Sequence, residues 1–202
     1  MFEGKIIDLS HEITNFTYPG DPEFKLNPLN VENYTISEIK LGSHISTHID
    51  YPKHVGIDNN NIEGDSKDIV IGTGFCVNIK NLDEFLNQLH ADKTRKIDIL
   101  LINTNISKYW GRKEYFEKEI DIEPYLDDIL NISPKAVGVD CASIGNYEVH
   151  KELLSNGIFI IENLNNLEKL ENKYFTFVGL PLKIRDVDGA PIRAISFIEN
   201  LK

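Results

Sequence analysis

The chain has 202 residues, 41% of them hydrophobic and 26% charged, which is typical of one globular domain spanning residues 1–202. Its formal net charge of -11 argues against nucleic acid as a partner, because an acidic chain repels a phosphate backbone. The apolar runs are too short to cross a bilayer, so no membrane partner is expected. Residues 1–5 lack the features of a secretory signal, which predicts a cytoplasmic location.

Short apolar runs and turn-forming residues alternate in the first half of the chain. A strand is predicted at residues 6–9, followed by a loop at the Pro- and Gly-rich residues 18–22. The near alternation of apolar and polar residues over 34–41 predicts a half-buried strand. Residues 69–79 are predicted to form a strand or a bent pair of strands, and residues 82–89 have the apolar spacing of a helix.

Strands and helices alternate in the second half. Buried strands are predicted at residues 97–102, 136–139 and 158–161, and a helix at residues 150–154. Residues 112–130 are amphipathic, with a break or a helix start at Pro124. This order predicts an α/β fold with a mixed sheet. Two cysteines, Cys76 and Cys141, are expected to pack as small apolar groups.

Histidines cluster next to an acidic residue in the segment of residues 44–54. Three of the six histidines lie there, His44, His48 and His54, together with Asp50. In an extended segment, His44, Ser46, His48 and Asp50 would share one side, and in a helix His44 and His48 would still share a face. Either geometry brings together two imidazoles and a carboxylate, which are ligands for zinc, manganese or iron(II).

The alternative is that these histidines lie on the surface or are satisfied polar groups of the core. Crowding three histidines and an aspartate without a cation is costly, because each buried polar group then needs another partner. The set as a whole therefore favours metal binding. His11 and His90 are given no role, and His90 is expected at the exposed C-terminal end of a helix.

The run of residues 42–54, GSHISTHIDYPKH, resembles the HxGTHxDxPxH signature of the cyclase family of metal-dependent hydrolases. The similarity continues in the same order along the chain, at residues 7–11, 18–22, 139–144, 161–164, 180–183 and 188–194. Several ordered motifs over most of the chain make the resemblance specific. It implies a swivelling β/β/α fold and a homo-oligomer, dimeric or larger.

The resemblance also implies a pair of divalent metal ions, with zinc expected first and manganese second. Their ligands would be His44, His48, Asp50, His150 and Glu162. His44, His48 and Asp50 would hold the first ion, Asp50 and Glu162 would bridge to the second, and His150 would complete the second site. His54 would donate and accept protons.

The activity implied is hydrolysis of an amide C–N bond in a small aromatic substrate. A formamide such as N-formylkynurenine is expected first, followed by another aryl amide, an imide or a lactam. Two departures bear on the substrate: Ser46 replaces the glycine of the signature, and Tyr18 replaces the tryptophan that kynurenine formamidases use to hold an aromatic ring.

Two alternatives to an amidohydrolase stay open at this point. One is a metal-dependent cyclase or lyase that acts on a carbonyl compound, in which the metal stabilises an enolate. The other is a non-catalytic protein whose metal stabilises the fold or an assembly, and such a site would have closed coordination. His54 favours catalysis, because the ligand set does not require it.

Overall fold

Seven strands close into a barrel in the computed structural model, which describes residues 4–58, 69–91, 96–118 and 120–199. The strands of the described residues are β1 (Gly4–Asp8), β2 (Lys25–Val31), β3 (Tyr34–Lys40), β4 (His48–Asp50), β5 (Val70–Asn78), β6 (Ile99–Asn103), β7 (Ala136–Val139), β8 (Phe159–Glu162), β9 (Tyr174–Pro181) and β10 (Gly189–Glu199). The helices are α1 (Leu82–Ala91), α2 (Leu126–Ile132) and α3 (Tyr147–Ser155).

The barrel is a mixed sheet with the strand order β10-β4-β8-β7-β6-β5-β9 and a return from β9 to β10. The pairs β5–β6, β6–β7 and β7–β8 are parallel, and the other pairs are antiparallel. Residues 189–191 of β10 pair with β4, residues 192–197 pair with β9, and the end of β10 also pairs with β1. The predicted α/β domain with a mixed sheet is confirmed.

The central parallel strands are buried on both faces. Along β6, Leu100 and Ile102 contact the cluster that contains Leu86 of α1, whereas Ile99 and Leu101 belong to a second cluster on the other face. Helices cover one face of these strands, and the second cluster fills the space that the closed sheet encloses. Burial on both faces explains why β6 is continuously apolar instead of alternating.

Most of the predicted elements are confirmed, with bounds that differ by a few residues. The strands predicted at residues 6–9, 69–79, 97–102, 136–139 and 158–161 are β1, β5, β6, β7 and β8, and the helices predicted at 82–89 and 150–154 are α1 and α3. In the amphipathic segment, Pro124 lies in a 3-10 turn that runs into α2. Both cysteines are buried and unpaired as expected, and burial raises the pKa of each thiol.

The strand predicted at residues 34–41 exists as β3, but the expectation that it is half-buried is wrong. It pairs only with β2 in a separate hairpin, and every residue of both strands is exposed. The apolar side chains of this hairpin are therefore in solvent; they are Leu26, Leu29, Val31, Tyr34, Ile36 and Ile39. Among the described residues, no helix is long and apolar enough to cross a membrane.

Candidate metal centre and cavity

The histidine-rich segment is neither one strand nor one helix, so neither geometry considered from the sequence applies to all of it. Residues 43–47 form turns and bends, and only His48–Asp50 is extended. The backbone reverses at Ser46, whose φ of 55° lies in the left-handed region that favours glycine. The Ser46 hydroxyl donates to the carbonyls of His11 (3.1 Å) and Glu12 (3.2 Å), which ties the turn to the N-terminal segment.

The register of β4 against β8 brings the distant Glu162 to the segment. His48 lies opposite Glu162 in this antiparallel pair, and the His48 Nε2 is 3.5 Å from the Glu162 Oε2. A shift of the register by one residue would turn the Glu162 side chain to the other face of the sheet. His150 lies in the first turns of α3, after the cap formed by Asn146, and its Nε2 is 3.2 Å from the Glu162 Oε1.

Asp50 lies at the centre of the cluster, and its side chain is almost completely buried. Its Oδ1 is 2.8 Å from the His44 Nδ1 and 3.3 Å from the His48 Nε2, and its Oδ2 is 3.8 Å from the His150 Nε2. Among the described residues, the buried Asp50 Oδ2 has no hydrogen-bond partner. A buried carboxylate oxygen without a donor, facing imidazole nitrogens, fits a divalent cation as the missing partner.

Hydrogen bonds orient two of the imidazoles towards these carboxylates. The Nδ1–H of His48 donates to the Ser46 carbonyl (2.8 Å), and the Nδ1–H of His150 donates to the Asn146 carbonyl (2.9 Å). Each ring therefore presents its Nε2 to the centre. A hydrogen bond at one nitrogen that leaves the other free to bind is the usual arrangement of a metal-ligating histidine.

Charges inside the centre shift the pKa values of its members strongly. Burial lowers the pKa of His48 and of His150, but bonds to Asp50 and Glu162 outweigh it and raise these values to about 10 and about 9. Burial raises the pKa of Asp50 and of Glu162, yet the histidines hold both below their ordinary values. Protons on the imidazoles thus balance the buried carboxylates when no cation is bound.

His54 differs from the other three histidines of the centre. It lies in the 3-10 turn Pro52–Val55 with its side chain 37% exposed, and its ring centroid is 4.2 Å from that of His44. Burial is the main cause that lowers its pKa, so the imidazole is neutral at pH 7. Ring nitrogens of His54 and His150 and an oxygen of Asp50 all lie within 4.8 Å, so the geometry permits His54 as a ligand or as a proton carrier.

A cavity of about 360 Å³ opens onto the centre. Its lining includes Tyr18, His44, His48, His54, His150 and Glu162, so the cavity brings together every residue of the expected site except Asp50, which is buried beside it. The cavity is also lined by four aromatic side chains that contact one another and are called the aromatic wall below, Phe16, Tyr18, Trp110 and Phe116. Tyr147, at the start of α3, adds a further aromatic ring to the lining. Tyr18 is 50% exposed and meets Phe116 edge-on at 5.6 Å between ring centroids.

Trp110 and Asp188 are residues of this site that were not predicted from the sequence. Trp110 lines the cavity and stacks on His11, with the ring centroids 4.0 Å apart; burial lowers the His11 pKa to about 4, so that ring is neutral. Asp188 contacts His44 at 2.9 Å. Asp188 lies in the motif of residues 188–194, which is a sequence signal for a role at the site. The sequence near Trp110 contains no such signal.

Asn163 was also not predicted, although it follows Glu162 directly. Its Nδ2 donates to the Ser46 carbonyl (2.9 Å), and its Oδ1 accepts from the Tyr115 hydroxyl (2.7 Å). Its own carbonyl accepts a short hydrogen bond from the Thr47 hydroxyl, 2.5 Å. Asn163 thus joins β8, the turn at Ser46 and Tyr115 in one buried network, and the Tyr115 ring in turn contacts Phe16, Trp110 and Phe116 of the aromatic wall.

Comparison with known proteins shows which family the chain resembles. The family model described as "Putative cyclase" matches residues 7–146. An uncharacterised protein of Methanocaldococcus jannaschii is 50% identical over 96% of this chain and 100% of its own length. The kynurenine formamidase of Bacillus cereus is 25% identical over 94% of this chain and 95% of its own length.

Among solved structures, isatin hydrolase A from Labrenzia aggregata has a similar fold, with a TM-score of 0.80 at 17% identity, covering 98% of this chain and 95% of that protein. At this identity the likeness shows the fold alone. The match to the family model covers more than half of the chain. The chain therefore belongs to the cyclase family of metal-dependent hydrolases.

Proposed function

We propose that this protein hydrolyses the C–N bond of a small aromatic amide, such as N-formylkynurenine, at a centre of two divalent metal ions. The observation that carries the proposal is the position of the centre, whose two buried carboxylates and three histidines lie beside a cavity that aromatic side chains also line. A purely structural metal site has closed coordination, whereas this centre faces open space that a substrate can enter.

The arrangement of the carboxylate oxygens supports two ions. One oxygen of Asp50 faces His44 and His48, and the other faces His150. The two carboxylate oxygens of Glu162 are arranged in the same way, with Oε2 near His48 and Oε1 near His150. Under the proposal, His44 and His48 would hold a first ion and His150 a second, and Asp50 and Glu162 would serve as ligands of both. Zinc is the first candidate and manganese the second, since both accept imidazole and carboxylate ligands.

Bound divalent ions would supply hydroxide at neutral pH from water and would polarise the substrate carbonyl. The residues of the chain provide proton transfer and orientation. His54, neutral at pH 7 and beside the centre, would accept a proton from the attacking water and return it to the leaving nitrogen. Ile144 donates its backbone N–H to the Glu162 Oε1 (2.7 Å), which holds that carboxylate in place.

The aromatic wall supports an aromatic substrate. Trp110, Phe16 and Phe116 line the same cavity as the histidines, and a lining of aromatic rings suits a planar aromatic substrate. The names of two similar proteins, kynurenine formamidase and isatin hydrolase A, point to the same substrate class. The described residues that line the cavity include Asp21 and Glu162 but no lysine or arginine, so we expect poor binding of substrates with an added anionic group on the ring.

The test begins with elemental analysis of the purified protein. A screen then measures hydrolysis of N-formylkynurenine, formanilide and isatin after zinc or manganese has been restored. We expect about two divalent ions per chain at saturation and hydrolysis of at least one aryl amide. A protein that binds no transition metal, or that hydrolyses none of these amides when loaded, would contradict the proposal.

Two variants separate the proposed roles. Glu162→Ala should lose metal and activity together, because Glu162 would be a ligand of both ions. His54→Ala should keep its metal while its rate of hydrolysis falls by about 10²–10⁴-fold, as expected for a lost general acid or base. His90→Ala is the matched control, because His90 is exposed and pairs with Asp128 away from the cavity. Loss of metal from His54→Ala would make His54 a ligand.

We also propose a homo-oligomer, dimeric or larger, in which the β2–β3 hairpin contacts a second copy. A two-stranded ribbon with exposed apolar side chains on both faces is marginally stable alone. Residues 25–40 carry two lysines and two glutamates, so this part of an otherwise acidic chain does not repel its copy. Light scattering should show that Leu29→Lys lowers the oligomer mass, whereas Gln88→Lys, which adds the same charge at an exposed position of α1, should leave it unchanged. The cytoplasmic location stays a prediction.

A further inference from the structure

His44 is the only histidine of the described centre that has a carboxylate at both ring nitrogens. Its Nδ1 is 2.8 Å from the Asp50 Oδ1, and its Nε2 is 2.9 Å from the Asp188 Oδ2. His48 and His150 instead present Nε2 to the carboxylates and donate Nδ1–H to backbone carbonyls. His44 therefore presents its Nδ1 to Asp50, whereas His48 presents its Nε2.

The start of β10 holds Asp188 in this position. The backbone N–H of Tyr51 donates to the Asp188 carbonyl (3.0 Å), and the next residue, Gly189, lies opposite Asp50 in the β4–β10 pair. Asp188 is thus fixed to the strand that carries Asp50. The carboxylate of Asp188 is 42% exposed, at the edge of the buried centre.

Gly189 provides a second, independent sign that this place is shaped for the His44 ring. A Cβ added to Gly189 would lie 2.7 Å from the His44 Cε1, 3.1 Å from its Nε2 and 2.8 Å from the Ile49 carbonyl oxygen. The distances of 2.7 and 2.8 Å are shorter than contacts between such atoms allow, and the Ile49 oxygen belongs to the backbone of β4, which cannot easily move. The ring can lie against the backbone here only because residue 189 is a glycine.

We propose that Asp188 is a positioning residue that accepts the Nε2–H of His44, so that His44 binds the metal through Nδ1 while His48 and His150 bind through Nε2. The inference rests on the metal centre of the proposed function. A neutral imidazole has one N–H and one lone pair, so an acceptor at Nε2 leaves the lone pair at Nδ1, on the side of Asp50. A carboxylate at the distal nitrogen also makes the ring a stronger metal ligand.

The competing arrangement makes Asp188 itself a ligand. Atoms of His44, His54 and Asp188 lie close enough to hold an ion, with 3.9 Å between the His54 Nδ1 and the Asp188 Oδ2. In that case the Nε2 of His44 would bind the ion and would carry no proton. The two arrangements therefore differ in which ring nitrogen of His44 is protonated when metal is bound.

The test is nuclear magnetic resonance of the zinc-loaded protein labelled with ¹⁵N-histidine. Long-range ¹H–¹⁵N spectra report which ring nitrogen carries the proton, and His44→Gln assigns the signals. We expect a protonated Nε2 for His44 and a protonated Nδ1 for His48 and His150. A His44 that carries its proton on Nδ1 would overturn the proposal without any variant of Asp188.

Zinc affinity gives a second readout that does not depend on activity. Asp188→Ala should weaken zinc binding by about 10–100-fold, the usual effect of losing a carboxylate behind a ligating histidine. Asp188→Asn keeps an oxygen that can accept the Nε2–H and should recover part of this affinity. The control is Asp128→Ala, which removes a carboxylate 45% exposed and 3.0 Å from a histidine far from the centre.

Unchanged zinc affinity in Asp188→Ala would overturn the positioning role. If Glu162→Ala still loses zinc in the same experiment, the metal centre of the proposed function stands and only the inference about Asp188 fails. If the native protein binds no zinc at all, it is the proposed function that fails. The outcomes for the two proposals are therefore distinguishable.

Discussion

Zinc binding to the metal-free protein should release at least two protons per chain at pH 7, one from His48 and one from His150. The pKa of His44 is raised as well, so its ring can add to this number. The centre raises the pKa of His48 to about 10 and that of His150 to about 9. A pKa two or more units above the solution pH leaves about 1% or less of an imidazole neutral. An imidazole must be neutral to bind a metal, so each ring gives up its proton. Between pH 7 and pH 8, where both rings are still almost fully protonated, these two protons should make the product of the two zinc-binding constants rise about 100-fold per pH unit.

Titration calorimetry in two buffers with different ionisation enthalpies measures the number of protons released, and His48→Gln should lower that number by about one. The same protons give the metal-free fold a pH dependence. Because the folded pKa values are raised, their contribution to stability is complete below the unfolded value of 6.5 and is lost as the pH rises through about 9 to 10. Zinc binding that released no protons and did not depend on pH between 6 and 8 would refute this reasoning.

Three substitutions test other parts of the site. Tyr115→Phe leaves the buried Asn163 Oδ1 without its donor and should lower the free energy of unfolding by about 1–3 kcal/mol in urea; no change would show that the network is dispensable. Ser46→Gly should be more stable than Ser46→Ala by about 1 kcal/mol, since both lose the hydroxyl but only alanine is strained at a φ of 55°. Tyr18→Ala should change the ratio of the kcat/KM values for N-formylkynurenine and formanilide, and should alter the free energy of unfolding by less than about 0.5 kcal/mol. A large loss of stability with unchanged kinetics would place Tyr18 in the core.

The elements that could be predicted are those whose burial follows from local sequence. β6 and β7 are buried on both faces and are apolar throughout, and α1 has a clear apolar stripe. β2, β9 and β10 were not predicted, and each contains a proline, a residue that argues against a strand. In β10, Pro191 lies opposite His48, close to the start of the strand, where the short β4 provides few pairing positions.

The candidate site was predictable to the extent that its residues are close in sequence. The two-residue spacing of His48 and Asp50 places both on one face of β4, whichever strand lies beside it. Glu162 lies more than a hundred residues further on, and its proximity to His48 depends on the register of β4 and β8. That register follows from the closure of the barrel, which cannot be predicted from a local sequence pattern. Only the family resemblance pointed to Glu162.

The two departures from the family signature meet in one connected region. Ser46 donates to the carbonyls of His11 and Glu12, and the backbone N–H of His11 donates to the Thr47 hydroxyl (2.9 Å). The His11 ring in turn stacks on Trp110 of the aromatic wall. A glycine at position 46 could adopt the same backbone but could not donate to these carbonyls. Ser46 therefore links the turn between His44 and His48 to the N-terminal segment that leads to Tyr18, so a change at position 46 should alter substrate preference through the wall.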